Sequence, residues 1–177
     1  MQENIALVQN GFRILLPDMA GYICRELSRV YKNSWWQEVL TALSDQYDLP
    51  SSGEYAELQD SLDVANCLRL IDRRWNDVFR SKLSKDYRTW ATELMGVRNK
   101  VAHLGMQDIA QADAERALDT MARLCDGFDS DGAEEIRALY RKLRYGSEDA
   151  STSSAPAKET TPTGKSKTVA AVLGRHV

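Results

Sequence analysis

The sequence predicts an all-α fold: a bundle of five or six helices over residues 1–145, followed by a disordered linker or tail over residues 146–177. Apolar residues recur every third or fourth position through the first stretch, and strand-like alternation is missing from it. After Gly146 the composition turns to Ser, Thr, Pro, Ala and Lys, which bury too little apolar surface to offset the entropy of ordering. A chain of 177 residues, 43% hydrophobic and 28% charged, has the mix of one folded domain with a real core.

Taken in order, Ile5, Val8, Phe12, Leu15, Met19, Tyr22, Ile23, Leu27 and Val30 form the first helical stripe. Pro17 interrupts it, and a kink or break is expected there because proline removes a helix hydrogen bond and crowds the preceding turn. Ser34 with Gln37 reads as a capping box that opens a helix from Trp35 to about Tyr47, and "DLPSSGE" supplies the punctuation after it. A long basic helix is expected from Glu54 or Asp60 toward Leu83, burying Leu62, Ala65, Leu68, Ile71, Val78 and Phe79. Ser84 can cap the next helix, which buries Tyr87, Trp90, Leu94, Val97 and Val101 until Gly105 stops it. A fifth helix begins after Asp108, and a last one runs from Ala133 to about Tyr145, with cations at its C-terminal end where the helix dipole favours them.

Several function classes are excluded on composition and spacing. No apolar run approaches the roughly 20 residues that span a bilayer, so no membrane partner is expected. The N-terminal "MQENIALVQNGF" has no basic leader or small-residue cleavage site, which predicts a cytoplasmic protein. Cys24, Cys67 and Cys125 are odd in number, far apart and set in apolar stripes, as reduced core thiols are. "TGKSK" resembles the end of a phosphate loop, but the required first glycine is Glu159 and no strand precedes it. His176 has no acid or nucleophile at a useful spacing, and no second histidine or cysteine pair stands near His103. No metal and no cofactor are expected. The final "VAAVLGRHV" is mildly apolar and suits the start of another element of a longer chain.

The net charge of −3 conceals a segregation. Residues 1–68 carry four basic and ten acidic side chains, residues 69–100 carry nine and four, and residues 101–145 carry six and nine. Arg69, Arg73, Arg74, Arg80, Lys82, Lys85, Arg88 and Lys100 therefore form a candidate surface for RNA phosphates, which supply most sequence-independent affinity; the alternative is a solvated helix face. Trp35, Trp36, Trp75 and Trp90 suit either base stacking or the core.

The basic block runs into "GVRNKVAHLGM", residues 96–106, where Arg98, Asn99 and His103 are the candidate catalytic residues. RNA cleaves itself when its 2′-hydroxyl loses a proton, its phosphate charge is neutralised and its leaving oxygen gains a proton. An imidazole exchanges protons near neutral pH, with an effect of roughly 10²- to 10⁴-fold on rate. A guanidinium fork suits a phosphate whose charge grows in the transition state, and Asn99 can orient either partner. Positions five apart on a helix diverge by about 140°, so one copy makes a poor site and a two-fold dimer makes a better one. The structural alternative pairs Arg98 with Glu93 or Asp108 and lets His103 cap the last carbonyls of its helix.

The motif Arg, polar residue, then His, together with "NIALVQNGFRILLPDMAGYICREL", "SWWQEVL" and "LMGVRNKVAHLG", resembles the HEPN superfamily and, within it, the Swt-type branch. The resemblance covers residues 1 to about 145. It implies an all-helical domain, and for many members a metal-independent endoribonuclease with its motifs at a dimer interface. It also implies a setting in large multidomain proteins, including ATPases of phage-defence systems. A homodimer, RNA and an ATPase or other defence protein are the expected partners; an interaction or RNA-binding module without catalysis is the alternative.

Overall fold

A computed structural model describes residues 2–46 and 48–152, which form seven α-helices and no strand among the described residues. In order these are α1 (Glu3–Tyr31), α2 (Trp35–Ala42), α3 (Tyr55–Asp60), α4 (Val64–Arg73), α5 (Lys85–His103), α6 (Gln111–Asp126) and α7 (Gly132–Thr152). A 3-10 turn, Lys32–Ser34, joins α1 to α2, and a π-helical turn, Trp75–Phe79, extends α4.

Helix α1 is the spine against which α2, α3, α4, α6 and α7 all pack. Its apolar stripe is buried from Ile5 to Leu27, while Val30, in the last turn, is 42% exposed. The 29-residue helix passes Pro17 without the expected break. Pro17 lies on the exposed face, so the Arg13 carbonyl it strands meets water, and the buried stripe on the other side holds the helix together. At Gly11 the backbone comes so close to α6 that a Cβ there would lie 2.7 Å from Met121 Sδ and 2.8 Å from Leu118 Cδ2.

Four local expectations are corrected. Ser34 does not form the capping box with Gln37: it ends the 3-10 turn at φ −91°, ψ 7°, and its hydroxyl donates back to the Tyr31 carbonyl at 2.8 Å. The helix it precedes stops at Ala42, and its expected end, Tyr47, lies outside the described residues. The long helix expected toward Leu83 is three pieces, because Asp63 adopts an extended backbone and accepts the Asn66 N–H at 2.7 Å, restarting the chain as α4. That division raises the helix number to seven. Gly146 does not end α7, which continues to Thr152, since each further residue of a nucleated helix gains a hydrogen bond. Residues 153–177, with "TGKSK", His176 and "VAAVLGRHV", lie outside the described residues.

In α5 the expected stripe is only partly covered, with Leu94 buried but Tyr87, Trp90, Val97 and Val101 half-buried, because α5 lies at the edge of the bundle; the core otherwise follows the periodicity. Leu62, Leu68, Ile71, Val78 and Phe79 are buried with the α1 stripe, and so are all three cysteines.

Candidate functional site

Helix α5 carries the motif and is the least covered of the long helices: of its 19 residues, Ala91 and Leu94 are the buried ones. It rests on α4 along one side and α6 along the other. Ser84 precedes it with an extended backbone, φ −67° and ψ 161°, although the hydroxyl makes no capping bond. The helix ends at His103, and Gly105 turns the chain away at φ +60°, a left-handed conformation that glycine adopts without strain.

The chain after α5 is laced to the first turn of α1. Asp108 accepts the backbone N–H of Ile5 at 2.9 Å and of Asn4 at 3.1 Å. Gln2 Nε2 donates to the Gly105 carbonyl at 2.6 Å, and Asn4 Nδ2 donates to the Ile109 carbonyl at 2.8 Å. Asp108 thus serves α1, not the helix that follows it, where Ala110 is the capping position. Partial burial alone would raise its pKa, but the N–H groups of Ile5, Asn4 and Ile109 outweigh that and hold it below the ordinary value. These bonds fix the end of α5, and with it His103, against the spine of the bundle.

Arg98 is half-buried in a groove of about 330 Å³ between α1, α4 and α5, with Phe12, Leu16, Val64 and Val101 among its walls. Both carboxylates that the structural alternative offers it are engaged elsewhere. Glu93 accepts from Arg116 Nε at 2.7 Å and from the Thr120 hydroxyl at 3.4 Å, and Asp108 receives backbone N–H groups. Among the described residues Arg98 has no ion-pair partner; its guanidinium donates to Asn99 Oδ1 at 3.5 Å, the outer limit of a hydrogen bond. His103 is exposed and caps no carbonyl among the described residues. Asn99 and His103, four positions apart, share one exposed face of α5, whereas Arg98 and His103 diverge by about 140°. A single chain therefore places Asn99 with His103 and sets Arg98 to the side.

The eight basic residues read as an RNA surface divide. Arg73 grips Asp45 with two bonds, 2.7 and 3.2 Å, and also donates to the Ala42 carbonyl. Arg74 pairs with Glu38 at 3.0 Å, Arg88 with Asp72 at 2.8 Å and Lys100 with Asp113 at 3.1 Å. Arg69 is half-buried on α4, while Arg80, Lys82 and Lys85 are exposed without an ion-pair partner among the described residues. Trp35, Trp36 and Trp75 are core residues, the indole of Trp36 donating to the Pro50 carbonyl at 2.8 Å. Trp90 is half-buried and packs edge-on to Tyr87 at 4.9 Å.

The sequence reading missed Asp108, Gln2 and Asn4 as positioning residues, and local pattern offers no signal for bonds that cross a hundred residues. It also missed the polar stripe of α5 that includes Thr92 and Gly96, which helical period alone reveals.

A family model described as Swt1-like HEPN matches residues 10–129, a span that runs from α1 to the end of α6 and contains the whole motif. The chain belongs to the Swt1-like HEPN family. Neither the curated proteins nor the solved structures provide a match to it. The family agrees with the all-helical architecture and points to an RNA-related function. In this HEPN domain Arg98, Asn99 and His103 stand at the end of α5, and Arg98 makes no ion pair among the described residues. Among the described residues no helix is long and apolar enough to cross a membrane, and no cluster of three metal-ligating His, Cys, Asp or Glu side chains forms.

Proposed function

We propose that this HEPN domain is a metal-independent endoribonuclease whose site is completed by a homodimer. The observation that carries the reading is the state of Arg98: a half-buried guanidinium next to Asn99 that makes no ion pair among the described residues, since Glu93 and Asp108 are committed elsewhere and Asp63, which lines the same groove, accepts the Asn66 N–H. A cation kept unpaired in this way suits an anionic ligand. Past the motif, Leu104 is half-buried and Met106 is 95% exposed, apolar surface that a second copy would cover.

In the proposed reaction the 2′-oxygen attacks the adjacent phosphorus and the bond from phosphorus to the 5′-oxygen breaks. One His103 takes the 2′-hydroxyl proton, the other chain's His103 gives a proton to the departing 5′-oxygen, and Arg98 neutralises the phosphorane charge. The products are a 2′,3′-cyclic phosphate and a free 5′-hydroxyl. The two-fold axis answers the divergence of Arg98 and His103 within one helix. The setting we infer is cytoplasmic antiviral defence, with an ATPase, another defence protein or further domains of a longer chain as the controlling partner.

A second reading, an RNA-binding interaction module without catalysis, is favoured by that same divergence, since one chain alone does not unite the motif. Sedimentation at tens of micromolar and RNA incubation in EDTA separate the two. Dimerisation with cleavage that survives the chelator supports the enzyme, whereas a monomer that binds RNA, weakens with salt and leaves it intact supports the module.

A further inference from the structure

Three cavities lie end to end along α5. The first, about 350 Å³, is lined by Arg80, Lys85, Arg88, Asn76 and Thr89 beside Trp75, and no carboxylate lines it. The second shares Arg88 and Thr89 with the first and continues to Thr92 and Glu93. The third shares Glu93 with the second and passes Gly96 and Val97 to Lys100. Lys85, Thr89, Thr92, Gly96, Lys100 and His103 recur at spacings of three or four, so they form one stripe on the helix. Each carboxylate along the route is matched by a cation: Asp72 by Arg88, Glu93 by Arg116 and Asp113 by Lys100.

Gly96 has a second oddity. A glycine inside a helix costs stability, and nothing within 4 Å would meet a Cβ there, so close packing does not require it. What its absent side chain provides is a bare floor midway along the stripe.

We infer that the open face of α5 is a track for a single RNA strand, leading from a phosphate-gripping cleft at Arg80, Lys85 and Arg88 to Asn99 and His103. The inference rests on the RNA reading above and adds the route and length of the bound strand. Lys85 and His103 mark the two ends of the helix, about 27 Å apart along its axis at the helical rise. A single strand laid along that length contacts several nucleotides, within the roughly 4–16 that single-strand grooves hold. Thr89 and Thr92 line the path between the charged ends, their hydroxyls turned back to the Lys85 and Arg88 carbonyls, and this polar lining suits a sugar-phosphate backbone better than an apolar helix of a protein partner.

The test uses the His103→Ala chain, chosen to suppress cleavage during the measurement, titrated by fluorescence anisotropy with labelled oligouridylates of about four, eight and sixteen nucleotides. Affinity is expected to rise about tenfold or more from the shortest to the middle length, then level off. Arg80→Ala with Lys85→Ala should erase that rise and reduce the slope of log affinity against log salt by about 1.4, two phosphate contacts on a single strand. Gly96→Leu should weaken the middle oligonucleotide severalfold without lowering the melting temperature, a split that a merely structural glycine would not produce. Equal affinity at all three lengths would overturn the track while leaving the RNA reading standing. Failure to bind any length would remove both, and displacement of RNA by an acidic peptide of equal charge would reassign the face to a protein.

Discussion

Asp108 accepts the backbone N–H of Ile5 at 2.9 Å across 103 residues of sequence. A residue of the loop that follows α5 thereby caps the helix that forms the spine of the bundle. The site is held by this clasp, since α5 itself buries little and Gly105 leaves its end otherwise free to turn.

Removal of the clasp by Asp108→Ala should lower the melting temperature at neutral pH and loosen the motif. The folded pKa of Asp108 lies below its ordinary value of 3.8. Its contribution is therefore complete above that ordinary value and is lost as the pH falls through the lower folded value. Melting of the wild type and the variant should differ most near neutrality and converge in acid; curves that stay parallel across the acid range would remove the clasp from the account.

Gly11 tests the packing of α1 on α6. Because a Cβ there meets Met121 Sδ at 2.7 Å and Leu118 Cδ2 at 2.8 Å, Gly11→Val should destabilise by about 1–3 kcal/mol, the usual cost of overpacking. Gly11→Ala should be milder, because Met121 can swing aside and alanine favours the helix. Urea unfolding reads both, with a shifted midpoint at constant slope.

The α1 stripe is readable because a 3.6-residue period reports directly which face is buried, and Ile5, Val8, Leu15 and Leu27 are buried as that period requires. The break at Asp63 was not readable: Leu62 and Ala65 continue the apolar rhythm across it, so the capping acid reads as an interior residue. The motif itself stands out in sequence, since Arg98, Asn99 and His103 are local. The charge state of the surface does not, because Asp45, Glu38 and Asp113 are delivered to Arg73, Arg74 and Lys100 by tertiary folding. The same holds for Asp108, whose partners are set by the packing of two helix ends.

The three cysteines should be silent in the folded chain. Burial pushes the Cys24 thiol up to about 12 and raises Cys67 and Cys125 as well, and thiolate is the reactive form. A chromogenic disulfide reagent at pH 8 should label none of them within minutes, then all three once the chain is unfolded in guanidinium. Rapid labelling of the native protein would mean that the α1 and α4 packing around Cys24 and Cys67 opens readily.

The most direct test of the central claim is the chemistry of RNA ends left by the purified protein in EDTA. The wild type should cut single-stranded RNA, leave DNA untouched and produce 2′,3′-cyclic phosphates, because the nucleophile is the substrate's own hydroxyl. His103→Ala should reduce cleavage by about 10²-fold or more with an unchanged helical CD spectrum, since an exposed side chain at a helix end contributes within about 0.5 kcal/mol to stability. Arg98→Ala should lose activity along with some affinity. Cleavage that requires magnesium, or a His103→Ala protein that cuts as fast as the wild type, would contradict the account and leave this HEPN domain as an RNA-binding module.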